Sequence, residues 1–328
     1  MENMVDFWKG KKALVSGADG FVGSWVAKKL IDSKAQVVAI VRDEKAEGNL
    51  KILGLTDKIT IVRGDITDLE TVERTINEYE IDSCFHLAAQ AIVGIANRSP
   101  LSTFNSNIKG TWTVLEACRR SPKVERIVVA SSDKAYGTQK KLPYTEDAPL
   151  LGSNPYDASK ACTDIVARSY YSTYSLPVAV TRCANIYGGG DLNFSRIIPD
   201  AIRCILANEN FVIRSDGTPE RDYMYVEDAA SAYLTLAEQC ARNEVKGQAF
   251  NFGTGTPVSV LALFAKIAGL CGKEEFKPTV LGQAKNEIDR QFLDSNKAKR
   301  ILNWAPRYSL DDGLKKTIQW YKNYFKMN

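Results

Sequence analysis

The run "KALVSGADGFVGSWVAKKL" (residues 12–30) decides the fold. Lys12–Ser16 reads as a short apolar strand, glycines follow at 17, 20 and 23, and a helical pattern begins at Phe21. A strand that enters a helix through a glycine turn is the opening of a βαβ unit. Gly17 supplies the tight turn. Gly20 lets backbone N–H groups at the helix start, where Phe21 and Val22 follow, approach a pyrophosphate, and Gly23 allows close packing of helix on strand. The spacing is G-x-x-G-x-x-G rather than G-x-G-x-x-G, so an ordinary glycine turn would also satisfy it, and the context must separate the two readings.

That context is repeated βα winding. "QVVAIV" is followed by a charged helix, "KITIV" by Leu69 to Tyr79, and "SCFHL" by a helix from Pro100 to Arg120. "RIVVASS" precedes a helix from Tyr156 to Tyr174, and "PVAVTR" extends the sheet. Right-handed parallel crossovers make this an α/β Rossmann-type, doubly wound parallel sheet. After Arg182 the rhythm changes to the glycine-rich "CANIYGGGDLNFSRIIPDAI", which marks a smaller α/β substrate-binding part. The expected division is a dinucleotide-binding domain over 1–184 with returning segments around 222–255, and a second domain over 185–221 and 256–328.

Bulk properties exclude several classes. The 328 residues carry a net charge of +4, without a basic block or a stripe of basic and aromatic residues, so a nucleic-acid partner is not expected. Seven cysteines are scattered singly with no C-x-x-C pair, as in a reduced cytoplasmic protein. The one histidine, His86, argues against a histidine-based metal site and a Ser-His-Asp hydrolase, and no metal is expected. With no apolar run of spanning length, the chain reads as soluble, with no membrane partner.

The ends of the strands hold the candidate cofactor residues. Arg42 and Asp43 follow the second strand and point in opposite directions: an acid there meets the ribose of NAD, an arginine the 2′-phosphate of NADP. Arg42 directly follows the apolar run, which tilts the reading to NADP. Asp65 and Ile66 follow the third strand and can hold the adenine edge, although Asp65 also suits a helix cap. In "FHLAAQ", Leu87 and the small Ala88 and Ala89 allow close approach to the cofactor, His86 reads as a satisfied core or rim residue, and Gln90 can reach a substrate or close the loop.

Tyr156 and Lys160 stand four residues apart near a helix start, so both side chains share one face. An ammonium beside a tyrosine stabilises phenolate, and such a tyrosine takes the proton from an alcohol as hydride leaves its carbon. Ser131 or Ser132, at the end of the preceding strand, can hydrogen bond the same hydroxyl. This Ser/Tyr/Lys set resembles that of the short-chain dehydrogenase/reductase family. "GADGFVGS", "GDITD", "FHLAAQ", "NIKGTWTVLEAC", "YDASK", "RCANIYGGGD" and "RDYMYVEDAA" resemble its extended branch, the nucleotide-sugar epimerases and dehydratases.

Within that branch, 4,6-dehydratases carry an acid-base pair after the serine, Asp-Glu in the dTDP-glucose enzymes and Asp-Lys in the CDP-glucose enzymes. Here "SSDKAYG" supplies Asp133-Lys134, and the chain is most similar to the CDP-glucose group, whose activity belongs to deoxysugar biosynthesis. The short "TQKKLPYTEDAPLLGS" and the segment "GTPERDYMYVED" depart from that group and leave nucleotide and sugar open. The resemblance implies tightly held NAD or NADP, regenerated each turnover, a nucleoside-diphosphate-sugar substrate and a homodimer.

It further implies Tyr156 as base at C4 with Lys160 and Ser132 assisting, and Asp133 as the acid that protonates the departing C6 hydroxyl, which requires a raised pKa. Lys134 is the candidate base at C5; the alternative is a charged Lys134 that stabilises the C5 enolate while water or another carboxylate moves the proton. By the same resemblance Asn185 contacts the sugar diphosphate and Arg221 and Arg290 grip its phosphates, with Arg196 a further candidate. A 4-epimerase carrying the same pair, and a cofactor-binding sensor without turnover, are the rival readings.

Overall fold

The structure, a computed structural model, describes residues 4–43, 48–283 and 288–327. Its centre is a seven-stranded sheet built from β1 (Lys12–Ser16), β2 (Gln36–Val41), β3 (Thr60–Arg63), β4 (Ser83–His86), β5 (Arg126–Ala130), β6 (Val178–Cys183) and, much later in the chain, β10 (Ala249–Phe252). The spatial order is β10-β6-β5-β4-β1-β2-β3, with every neighbour parallel. Strand residues alternate between two cores. Ala13 and Val15 face a core with Val26, Leu30 and Leu234, whereas Leu14 faces Val72, Ile76 and Leu115 on the other side. Both faces are therefore covered by helices, as the near-continuous apolar strands require.

The second part is built from smaller sheets: β7 (Asn185–Tyr187), β9 (Glu220–Tyr225), β11 (Pro257–Ser259) and β13 (Arg290–Gln291) form one around β9, and β8 (Val212–Ile213) pairs with β12 (Thr279–Val280). Its core gathers Ile198, Ile202, Leu263, Phe264, Leu314 and Tyr321. Asp222–Tyr225 thus sit in the smaller sheet, whereas helix Val226–Glu238 and β10 return to the large one.

Two local features differ from the sequence reading. The helix expected from Pro100 to Arg120 is interrupted by a π-helical turn at Asn105–Lys109. The reason is local competition for a carbonyl: Asn107 O accepts from the Thr111 hydroxyl at 2.6 Å and the Thr163 hydroxyl at 2.9 Å. The charged helix expected after β2 falls partly on 44–47, outside the described residues; the described portion is a short helix, Asn49–Ile52.

Candidate active site

The parallel register brings the carboxyl ends of β1, β2, β4 and β5 level, Ser16 lying opposite both Ile40 and His86. Beyond those ends lies a cleft of about 650 Å³, where open parallel sheets bind ligands. At its floor Gly17 has φ +76°, and a Cβ there would stand 2.7 Å from the Ala88 nitrogen. Gly23 lies against the Gly17 carbonyl, where a Cβ has no room. The helix that starts at Phe21 has no side-chain cap from Gly20, so its first N–H groups stay available to an anion. Phe21 and Val22 line the cleft beside these glycines.

Arg42, Asp65 and Ile66 line one end of the cleft, and Leu87, Ala88, Ala89 and Gln90 its middle. Arg42 is occupied: its Nε donates to Asp43 at 2.8 Å, and Nη1 lies 3.8 Å from Asp65. Asp65 accepts from the Thr67 backbone at 2.8 Å, while the cap of the following helix is Asp68. His86 is buried between Ser16, 2.8 Å from Nδ1, and Thr111, 3.1 Å from Nε2. Burial, reinforced by the charge on Lys160, pushes its pKa down to about 3. Asn107, revealed by the π-helical turn, accepts from the Gln90 N–H at 2.7 Å and donates to Ser159 at 2.8 Å.

At the far end the cleft is lined by Ser132, Asp133, Lys134, Tyr156 and Lys160. The two serines separate by role. Ser131 donates to the Lys160 carbonyl at 3.0 Å, whereas Ser132 donates to Asp133 and lines the cleft with Tyr156. Burial pushes the Tyr156 phenol up to about 12, against the pull of Ser132 and the charge of Arg196. Lys160 donates to the Ala130 carbonyl at 2.7 Å, and burial pushes its ammonium down to about 8. The buried Asp133 accepts from Ser132 at 3.1 Å and faces Lys134 Nζ at 3.5 Å.

Among the substrate candidates, Asn185 and Arg196 line the cleft; Asn185 donates to the Asp222 carbonyl at 3.2 Å and Arg196 to Asp191 at 3.0 Å. Arg221 and Arg290 lie outside its lining, on β9 and β13, where Arg290 pairs with Glu220 at 2.5 Å. Arg221 donates to the Glu220 carbonyl at 2.9 Å and stands in register with Gln291 of β13. Sequence reasoning missed three supports. Gln291 reaches both Lys134 and Asp133. Asp157, whose carboxyl burial pushes upward, acts on the same pair. Arg182 is buried with two bonds to Asp164 and one to Tyr136, the last residue of the turn that carries Asp133.

The donor set fits a nicotinamide dinucleotide: a glycine cradle without room for side chains, free N–H groups at a helix start, and a Ser/Tyr/Lys set at the other end of one cleft. Among the described residues no group of three or more His, Cys, Asp or Glu is arranged to hold a metal, and no helix is long and apolar enough to cross a membrane.

Comparison with known proteins agrees with this geometry. The chain is 29% identical over 339 residues to the CDP-glucose 4,6-dehydratase of Salmonella typhimurium, covering 98% of this chain and 94% of that one. The solved dTDP-glucose 4,6-dehydratase of Bacillus anthracis, in complex with NAD, is similar with a TM-score of 0.86 and 28% identity over 97% of this chain and 98% of that one. The UDP-glucose 4-epimerase of Thermotoga maritima, solved with UDP-glucose, has a TM-score of 0.87 and 30% identity over 96% of this chain and 99% of that one. Residues 14–317 match the sequence model of GDP-mannose 4,6 dehydratase. With its seven-stranded parallel sheet and these relatives, the chain belongs to the GDP-mannose 4,6 dehydratase family, in the extended short-chain dehydrogenase/reductase fold.

Proposed function

We propose that the protein is a nucleoside-diphosphate-hexose 4,6-dehydratase. The observation that carries this reading is the buried Asp133, paired with Lys134 and lining the cleft directly beyond Ser132. A 4-epimerase needs only the Ser/Tyr/Lys set, and the epimerase among the structural neighbours keeps that as the second reading.

When bound, a nicotinamide dinucleotide supplies the acceptor that takes hydride from C4 and returns it at C6. Gly17, Gly20, Phe21, Val22 and Gly23 hold its pyrophosphate; Asp65, Ile66, Leu87, Ala88 and Ala89 line its path. The NADP expectation rested on Arg42, but Asp43 and Asp65 already surround that guanidinium and would repel a further phosphate. NAD is therefore the proposed cofactor, held through turnover.

Tyr156 removes the C4 hydroxyl proton as phenolate, a form that burial disfavours and that the Lys160 ammonium and the positive nicotinamide ring would favour. Ketone formation at C4 acidifies C5–H. Lys134 takes that proton, the C5–H electron pair becomes the C5=C6 bond, and the C6 hydroxyl leaves as water with a proton from Asp133. Lys134, whose protons exchange with solvent, then protonates C5 as hydride reaches C6. The proton on Tyr156 and the one lost by Asp133 are balanced through solvent, so the net change is loss of one water. Asn185, Arg196 and Gln90 hold the sugar diphosphate from the cleft and Arg221 from its rim, whereas Arg290, exposed and paired with Glu220, is turned to the other face of β13 and is not assigned to the phosphates.

The proposed division is a cofactor part over 1–184 with 226–255 and a substrate part over 185–225 with 256–328, because 222–225 belong to the smaller sheet. Exposed apolar residues on the helices beside the site, Leu101 at 73% exposure with Trp112 and Ile165, support a homodimer; a cytoplasmic location accords with the seven free thiols. The test is Asp133→Asn incubated with a nucleoside-diphosphate hexose. It accumulates reduced nicotinamide, seen by absorbance, and forms no 6-deoxy product. A variant that eliminates water at the wild-type rate overturns the role of Asp133.

A further inference from the structure

Strand β13 is only two residues long, and its side chains point to opposite faces. Arg290 is 54% exposed and pairs with Glu220, whereas Gln291 is completely buried. The Gln291 Nε2 donates to the Asp133 carbonyl at 3.0 Å, and its Oε1 accepts from Lys134 Nζ at 2.5 Å. The amide can face only one way, because a carbonyl needs a donor and an ammonium an acceptor. One side chain therefore holds the backbone of the acid and the head group of the amine together.

We propose that Gln291 is a positioning residue for elimination, aiming Lys134 at the C5 proton. This role rests on the dehydratase reading. Lys134 Nζ has three rotatable donors on a flexible stem and no fixed direction of its own. The carboxylates that act on it, Asp133 at 3.5 Å on the same turn and Asp157 on the helix Pro155–Tyr174, compete for its head group. Gln291 supplies a neutral acceptor from a third direction, which holds the head group without adding charge that would keep the ammonium protonated. Its strand partner in register is Arg221 on β9, so the residue sits between the expected phosphate grip and the elimination pair.

The experiment compares wild type, Gln291→Met and Gln291→Glu with a nucleoside-diphosphate hexose that the wild type dehydrates. Methionine fills a similar volume with an apolar side chain and removes both bonds. Water loss then falls at least about tenfold, while C4 oxidation, read as reduced nicotinamide in a single turnover, stays within about threefold, the difference expected when one oriented group is lost. Glutamate keeps an acceptor for Lys134 but adds a charge. It restores part of the rate of water loss relative to Gln291→Met, because an acceptor for Lys134 Nζ is present again. Equal loss of oxidation and water loss in Gln291→Met, or a Gln291→Glu that loses water no faster than Gln291→Met, shows a merely structural residue and overturns the inference. A wild type that dehydrates and a Gln291→Met that does so equally well overturn it alone. A wild type that removes water from no such hexose overturns the functional reading, and this role with it.

Discussion

The chain has one histidine, so its titration can be followed without ambiguity. His86 is buried at the end of β4 between Ser16 and Thr111, and burial, with Lys160 nearby, holds its pKa at about 3 rather than 6.5. The unfolded chain therefore binds a proton between those two values that the folded chain refuses. Stability from this residue is fully present above about pH 6.5 and is lost as pH falls toward about 3, at up to about 1.4 kcal/mol per pH unit. Between about pH 7.5 and 5 the loss comes to about 2 kcal/mol. His86→Gln keeps a donor and an acceptor but cannot titrate. Its constant effect on stability drops out when the wild-type-minus-variant difference is followed with pH, measured by reversible denaturant unfolding. That difference falls by about 2 kcal/mol over the interval, and the imidazole signals of selectively labelled folded protein stay in the neutral form throughout. A histidine that titrates near its ordinary value in the folded state, or a difference flat with pH, refutes the reasoning.

Removing Arg182 alone, as Arg182→Met, leaves Asp164 buried with Arg168 as its remaining partner. Stability falls by about 3 kcal/mol, lowering Tm by about 4 °C given an unfolding entropy near ~0.7 kcal/mol/K for this chain length. The double variant with Asp164→Leu recovers at least half of that in the same calorimetric scan, because a hydrophobic pair replaces a buried ion pair at little cost; additive losses contradict this. Gly17→Ala meets the Ala88 backbone at a positive φ and loses nicotinamide-dinucleotide affinity by isothermal titration. Gly54→Ala, also at a positive φ but with nothing within 4 Å, pays only backbone strain and binds normally; equal affinity of both variants for the dinucleotide counts against the cradle.

Local patterns account for what was legible before the structure. Leu14 alternates with Ala13 and Val15 between two cores, and that alternation together with the glycine turn specifies the doubly wound sheet. Tyr156 and Lys160 meet in one cleft because four residues are about one helical turn, and Ser132 sits one strand away at the same edge. The missed features depend on contacts distant in sequence. Gln291 meets Lys134 across 157 residues, from a strand too short to carry a periodic signal. Arg182 and Asp164 each read as ordinary charged residues, and only the fold buries them together. The π-helical turn at Asn107 arises from hydroxyls on two helices competing for its carbonyl. Adjacent Arg42 and Asp43 looked like alternative ribose ligands because sequence does not show that they bind each other.

The central claim, elimination of water by Asp133 and Lys134 after oxidation at C4, is tested most directly by mass spectrometry of nucleoside-diphosphate hexoses incubated with the protein in deuterated water. The account predicts a product that has lost one water, about 18 mass units, and carries one solvent deuteron at C5, delivered by the base that removed the C5 proton. A sugar nucleotide of unchanged mass, with or without inversion at C4, would contradict it.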